Sequence, residues 1–349
     1  MIMTPRQRVF TALHKGKTDK VPFTVYEKMI SQCTVERELR NRGLCIVKRV
    51  QSYKTHTPNV QVKSSHSTTL QGHQLVKTIY TTPFGDLTTL TEATDDTTWR
   101  HELMYKTPAD YKAILFLIQD TIVEPNYDEV ARVVTDLGED FVVRDNFPLE
   151  PLQNLISSNY MKMEDFCIEW MEHRDEILKL YDAFVELARK IYPVVANGPL
   201  EFANYGGNVV PQIIGVENFE KYYVPNYNEA AEILHKKGKL IGTHLDADNT
   251  LIMSAVAKTK LDYIEAYDPS MSPSVKDVRR IWPDKVLWIN WQSGYQLKPP
   301  KEIQKITVDL IEDAKPLEGF IIGITEDIPK DRLHQNLTAI IDGIDTVVC

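Results

Sequence analysis

From about residue 105 to its end the chain alternates long amphipathic stretches with short, almost wholly apolar runs, and this rhythm constrains the fold more than any other feature. Helical periodicity covers roughly 108–118, 127–137, 164–191 and 217–237. The apolar runs are "DFVVRD" (140–145), "YPVVANG" (192–198), "KLIGTH" (239–244), "LDYIEAY" (261–267), "KVLWIN" (285–290) and "GFIIGIT" (319–325). A strand without a polar face has to be covered on both sides, and a parallel sheet flanked by helices does this. Six such units, with the upstream segment supplying more, predict an α/β fold of the (β/α)8 TIM-barrel type. A doubly wound sheet is the other arrangement that suits the rhythm.

The upstream text differs. Thr4-Pro5 followed by "RQRVFTALHKG" is a compact helix signal: Thr4 caps, Pro5 suits the first turn, Val9, Phe10 and Leu13 share a face, and Gly16 ends it. From Cys45 to Glu92 the chain is rich in Thr, Val and Tyr with alternating polarity, punctuated by Pro83 and Gly85, which predicts antiparallel hairpins. No repeat, low-complexity tract or interdomain linker stands out. The expectation is one domain spanning 1–349, with 1–105 as a helical and β-hairpin elaboration before the barrel proper.

With 43% apolar and 26% charged residues the chain has the balance of a soluble globular protein, and its length allows a large core without disulfides. The formal charge of −9 argues against a broad nucleic-acid or acidic-membrane surface. Cys33, Cys45, Cys167 and Cys349 form no CxxC pair and do not resemble a secreted disulfide framework. Met1 to Lys20 is polar and basic, and no run approaches the length of a membrane span. A cytoplasmic enzyme or binding protein is expected, with a homodimer left open.

In a βα barrel, functional side chains gather where strands end, at the C-terminal face. In order, those ends offer Arg144 and Asn146, then Glu201, Asn204 and Tyr205, then His244 and Asp246, then Glu265, Asn290 and Trp291, and finally Glu326. His244-x-Asp246 alone is a weak motif, since a histidine at a strand end is often a hydrogen-bonded structural residue. Glu265 stands inside an otherwise apolar strand end, and a buried carboxylate needs a cation, a metal or a proton. A neighbouring Arg or Lys is the structural alternative. Glu326 ends the last apolar strand, where a helix cap or a solvated loop is the alternative. An imidazole with carboxylates suits zinc, and also iron or manganese, and an open position would make such a metal a Lewis acid. No G-x-S-x-G, P-loop or G-x-G-x-x-G is present, and "YGGN" (205–208) lacks the rest of any phosphate-binding pattern.

Several segments together resemble the uroporphyrinogen decarboxylase superfamily. "TPRQRVFTALHKGKTDKVPF" is similar to that family's opening, "TTPFGDL" to its early hairpin, and "TEDIPKDRLHQNLTAIIDGI" to its closing segment. "GVENFEKYYVPNYNEAAEILHKKGKLIGTHLDADN" resembles the helix leading to its His-x-Cys or His-x-Asp-Gly strand end. The resemblance implies a TIM barrel. The chain lacks the family's Arg-rich substrate-gripping segment in "PFTVYEKMISQC", so porphyrinogen decarboxylation is not expected.

The other branch holds corrinoid-linked methyltransferases, and there the resemblance implies a zinc set. His244 falls on the family histidine, Asp246 and Glu326 fall on its two cysteines, and Glu265 is the counterpart of a zinc-binding Glu in cobalamin-independent methionine synthases. Carboxylates in place of thiolates point to enzymes that cleave methyl ethers or related donors. The implied activity is zinc-dependent transfer of a methyl group to a corrinoid supplied by a partner protein, with His244, Glu265 and Glu326 catalytic. Arg144, Asn146, Glu201, Asn204, Tyr205, Asn290 and Trp291 are the expected substrate contacts, and Phe147 and Trp288 could add to an aromatic pocket. The alternatives are a metal-independent decarboxylase or lyase of the same superfamily, and a non-catalytic barrel that binds a small ligand or tetrapyrrole.

Overall fold

The computed structural model describes residues 2–94 and 97–347; Cys349 lies outside them. In chain order the strands are β1 (Phe23–Tyr26), β2 (Leu44–Val50), β3 (Tyr53–His56), β4 (Gln61–Thr68), β5 (Gln74–Thr82), β6 (Gly85–Ala93), β7 (Thr98–Glu102) and β8 (Ile122–Pro125). They continue as β9 (Phe141–Asn146), β10 (Phe202–Tyr205), β11 (Leu240–His244), β12 (Tyr263–Tyr267), β13 (Val286–Asn290) and β14 (Phe320–Ile324). Eight of them close a barrel in the order β1-β14-β13-β12-β11-β10-β9-β2, every neighbour parallel. The expected (β/α)8 TIM barrel is thus the observed one. Among the described residues no helix is long and apolar enough to cross a membrane.

The chain divides into two compact units, one of Met1–Ser52, Asn126–Phe147 and Val195–Cys349, the other of Tyr53–Pro125 and Pro148–Val194. The first holds the barrel. The second holds the antiparallel sheet β4-β5-β6-β7 and the antiparallel pair β3-β8. The hairpins read from the sequence are these strands, but the elaboration is not 1–105. β1 and β2 are barrel strands, and the second unit begins only at Tyr53.

A second correction concerns "YPVVANG". It is no strand but the end of a 24-residue helix, Arg174–Asn197, that runs through Pro193. Ile177, Leu180, Phe184, Ala188, Ile191 and Val195 are buried at helical spacing, so the 3.6-residue period continues through the proline. The barrel strand missed there is the four-residue β10. The expected helix over 164–191 is in fact two, Met163–Glu172 and Arg174–Asn197.

The helix Pro5–Leu13 closes the N-terminal end of the barrel. Thr4 and Gln7 form the expected capping box, and Arg6 donates to the carbonyls of Gly138 (2.7 Å) and Phe141 (2.8 Å) at the start of β9. Its Val9, Ala12 and Leu13 join lumen-facing Cys45, Val142, Phe202, Val286 and Ile321 in one core cluster. Tyr263 and Trp288 fill the next layer. Tyr263 Oη donates to Ala203 O at 2.7 Å, and Trp288 Nε1 donates to Thr24 Oγ1 at 2.9 Å. Room for them comes from two glycines: a Cβ on Gly242 would lie 2.2 Å from Tyr263 Cε2, and one on Gly323 would lie 2.7 Å from Trp288 Nε1. The lumen is a packed core up to this height, and polar side chains begin above it.

Gly242→Ala should therefore destabilise the fold by about 2–3 kcal/mol through overpacking, measured by urea denaturation. In a Tyr263→Leu background, which empties that space, most of the loss should vanish. A loss unchanged in that background would contradict the packing account.

Candidate active site

Above the aromatic layer the lumen-facing positions are Tyr26 (β1), Arg49 (β2), Arg144 (β9), His244 (β11) and Glu265 (β12), all at or near C-terminal strand ends. β11 and β12 are adjacent, and the register puts His244 beside Glu265. Arg144 stands three strands away and reaches across the lumen to Glu265 Oε1, forming an ion pair whose side chains are 3% and 0% exposed. The other carboxylate oxygen, Oε2, accepts from Tyr26 Oη at 2.5 Å and lies 3.3 Å from His244 Nδ1. Arg144 also donates to Tyr26 Oη (Nη2, 3.4 Å) and Asn146 Oδ1 (Nε, 3.2 Å). The far edge of the imidazole, Nε2, faces Asp246 Oδ2 at 3.4 Å.

Local backbone holds these groups in place. Ala266 is buried at φ +58, and the register between β12 and β13 slips between Glu265 and Tyr267. A non-glycine residue in this region is strained by about 1–2 kcal/mol, and bulges of this kind re-aim a neighbouring side chain. Gly206, Gly207 and Asn208 all have positive φ, and a Cβ on Gly207 would sit 2.9 Å from His244 Cβ. The "YGGN" segment is thus a backbone lid on the histidine.

The charges follow from this geometry. Burial works hardest on His244 and favours its neutral form, but the hydrogen bonds and charges of Asp246 and Glu265 together outweigh it and raise the imidazole to about 9. Burial likewise opposes ionisation of Glu265, yet Arg144 and His244 bring it down to about 2. Asp246 is lowered by His244 against its own desolvation. Arg144 and His244 face the carboxylates of Glu265 and Asp246, while Arg49, 3.9 Å over the Tyr26 ring, pairs with Glu27. The Tyr26 hydroxyl is kept protonated, mainly by burial.

The residues expected from the sequence fall into three groups. Arg144, Asn146, His244, Asp246 and Glu265 belong to the network. Asn204 and Asn290 are nearly fully buried near the ends of β10 and β13. Asn290 Oδ1 accepts from Thr325 N and Oγ1, while Asn290 Nδ2, Asn204 Oδ1 and Trp291 Nε1 have no protein partner. The remainder are corrections. Glu201 is exposed and precedes β10, at the opposite end of the barrel from the mouth. Tyr205 follows lumen-facing Asn204 and so faces outward, packing against Tyr227 of the helix Val224–His235. Trp291 is buried against Tyr295. Glu326 accepts from Ser293 Oγ and takes no part in the His244 network.

The zinc set also fails as a set. An imidazole binds a metal through one nitrogen, but Glu265 faces Nδ1 and Asp246 faces Nε2, on opposite edges of the ring. Both oxygens of Glu265 already carry donors, one of them a guanidinium. Among the described residues no three His, Cys, Asp or Glu side chains group to hold a metal ion. The residues as arranged do not fit zinc. The structural alternative for Glu265, neutralisation by a neighbouring arginine, is what the structure contains. Tyr26 was not found from the sequence, because "PFTVY" carries no polar signal beyond its last residue.

No protein-family model matches the chain, and no curated protein matches it. A methyltransferase from Methanosarcina mazei is similar in structure, with a TM-score of 0.60 at 11% identity, over 99% of this chain and 99% of that one. A B12-independent methionine synthase from Shewanella sp. W3-18-1 gives 0.48 at 8% identity, over 89% of this chain and 85% of that one. A sugar phosphate isomerase/epimerase from Parabacteroides distasonis gives 0.43 at 11%, over 94% and 96%. At such identities the first likeness establishes the barrel fold.

Removing Arg144 should strand a buried charge. Arg144→Met is expected to lose about 3–5 kcal/mol in chemical denaturation, whereas Arg144→Met with Glu265→Leu should recover most of it. Equal losses in the single and double variants would show that the pair is not what stabilises the mouth.

Proposed function

We propose that this barrel is a methyltransferase that moves a methyl group from a small donor, preferentially a methyl ether, to the corrinoid of a separate protein. His244 is the acid that protonates the departing heteroatom. The reading rests on one observation above all: an imidazole held between two carboxylates at the C-terminal mouth, an arrangement that raises its pKa to about 9. The Nδ1 edge is sealed against fully buried Glu265, while Asp246, at the Nε2 edge, is 33% exposed. A donor therefore approaches from the Nε2 side.

The corrinoid would supply the nucleophile that takes the methyl group. This chain's residues act on the other half of the bond. As the bond to the methyl carbon breaks, its electron pair stays on the heteroatom, and the His244 Nε2 proton transfers to it, so an alkoxide or phenoxide never leaves as such. Tyr26, Glu265 and Arg144 hold the ring from its Nδ1 edge, and Asp246 keeps it charged. A proton thus serves where the sequence suggested zinc as Lewis acid, and no step here runs through a metal.

Two further features support the reading. A methyltransferase shares the fold over the whole chain. Exposed apolar side chains, Ile213, Leu251, Met271 and Leu297, stand on the four successive segments that leave β10, β11, β12 and β13, a rim suited to a large macrocycle carried by another protein. Both arginines of the mouth are paired, Arg144 with Glu265 and Arg49 with Glu27, which disfavours the alternative of a decarboxylase that grips its substrate carboxylate with an arginine.

The test is methyl transfer to free cob(I)alamin from phenyl methyl ethers, methylamines and methyl thiols. Transfer from an ether is expected. Its rate should be flat below pH 8 and fall through an apparent pKa near 9, because losing the His244 proton removes the acid. His244→Gln should lower kcat/KM by roughly 10²–10⁴-fold and abolish that alkaline limb. No transfer from any donor would overturn the proposal.

A further inference from the structure

We infer that the second unit carries a binding site of its own, a cavity of about 380 Å³ that takes an uncharged pyranose sugar. Its size falls within the roughly 300–1,000 Å³ of small-molecule sites. Every side chain that lines it belongs to Tyr53–Pro125 or Pro148–Val194, so nothing proposed for the barrel mouth bears on it. The lining decides the chemistry. It contains no Asp, Glu, Lys or Arg, although such residues make up 26% of the chain. An ionised ligand would leave water here without meeting a counter-charge, and a neutral one avoids that cost. His56, the imidazole of the lining, is exposed and stands 3.9 Å from Glu124, which balances it when it is protonated.

Buried Met104 and Leu117 give the cavity an apolar patch, and the rings of Tyr80 and Tyr160 add carbon surface. Beside them stand Tyr80 Oη, Tyr160 Oη, Thr57 Oγ1 and Asn154 Nδ2, which have no protein partner among the described residues. A pyranose matches this mixture: its ring C–H groups form apolar faces, and its hydroxyls both donate and accept around the edge. The partnerless groups are also held in place. Tyr160 packs edge-on against Phe184, ring centroids 5.0 Å apart, and its carbonyl accepts from Tyr105 N at 2.7 Å. Met104 N donates to Asn159 O at 2.9 Å, and Arg100 Nε donates to Asn159 Oδ1 at 3.1 Å. Asn154 Oδ1 accepts from Ser158 Oγ, which fixes the amide and leaves Nδ2 for a ligand. Burial and the nearby Tyr80 keep the Tyr160 phenol protonated, able to donate as well as accept. Groups ordered beforehand in this way lower the entropic cost of binding.

The full-length protein is titrated, by calorimetry and saturation-transfer NMR, with the methyl glycosides of glucose, galactose and mannose and with the corresponding phosphate monoesters. At least one uncharged glycoside should bind with a millimolar or lower Kd, and its phosphate at least ~10-fold more weakly. Tyr160→Phe removes a hydroxyl that bonds to no protein group, so Tm should match wild type while binding weakens roughly 3–10-fold. Asn154→Leu should weaken binding by a similar factor, and the two changes together roughly 10–100-fold. If Asn154→Leu does not fold, Thr57→Val takes its place and is read in the same way. No binding of any glycoside at tens of millimolar would overturn the inference. So would a phosphate that binds as tightly as its glycoside, or binding that the paired variants leave unchanged. Methyl transfer is not read in this experiment, so its outcome bears on this cavity alone.

Discussion

The mouth of this barrel depends on one buried ion pair. Arg144 and Glu265 come from strands that do not touch, and their contact spans the lumen. A carboxylate at 0% exposure is tolerable only because this guanidinium meets it. Once Glu265 is fixed and ionised, its second oxygen orders Tyr26 and faces His244 Nδ1. The histidine lies between Glu265 at Nδ1 and Asp246 at Nε2, and these carboxylates raise its pKa against the effect of burial. Each step follows from the one below it: burial demands a counter-cation, the counter-cation fixes the carboxylate, and the carboxylate charges the imidazole.

The lower barrel makes this precision affordable. Gly242 and Gly323 admit Tyr263 and Trp288 into the lumen, so the polar layer rests on a packed aromatic floor rather than on a water-filled channel. The strained backbone at Ala266 and the run of positive φ from Gly206 to Asn208 lie beside Glu265 and His244. Strain of this kind persists where the surrounding structure over-determines it, and both instances flank the proposed chemistry.

Much of the fold was legible because the barrel strands are apolar on both faces and helices separate them. β10 was not, because "FANY" is four residues long and carries an asparagine, while "YPVVAN" nearby mimics a strand inside a helix. β1 and β2 were masked by the hairpin-rich text that follows them. In the site, His244 and Glu265 stood out as polar groups at the ends of apolar runs. Alternation along a strand fixes a residue's height and face, so of the adjacent candidates Asn204 and Tyr205 only Asn204 faces the lumen, and a misplaced strand put Glu201 at the wrong end. No sequence pattern could show which edge of the imidazole each carboxylate would meet. That depends on the bulge at Ala266 and on a salt bridge between residues 121 positions apart, so a plausible metal set read from spacing became a charge-balanced network in three dimensions.

The central claim is that His244 is an imidazolium at neutral pH. Nitrogen-15 NMR of the imidazole, assigned by comparison with His244→Gln, tests it without substrate, metal or partner. The account predicts two protonated ring nitrogens at pH 7, titrating together near pH 9. A neutral ring at pH 7, with one nitrogen bare, would contradict it.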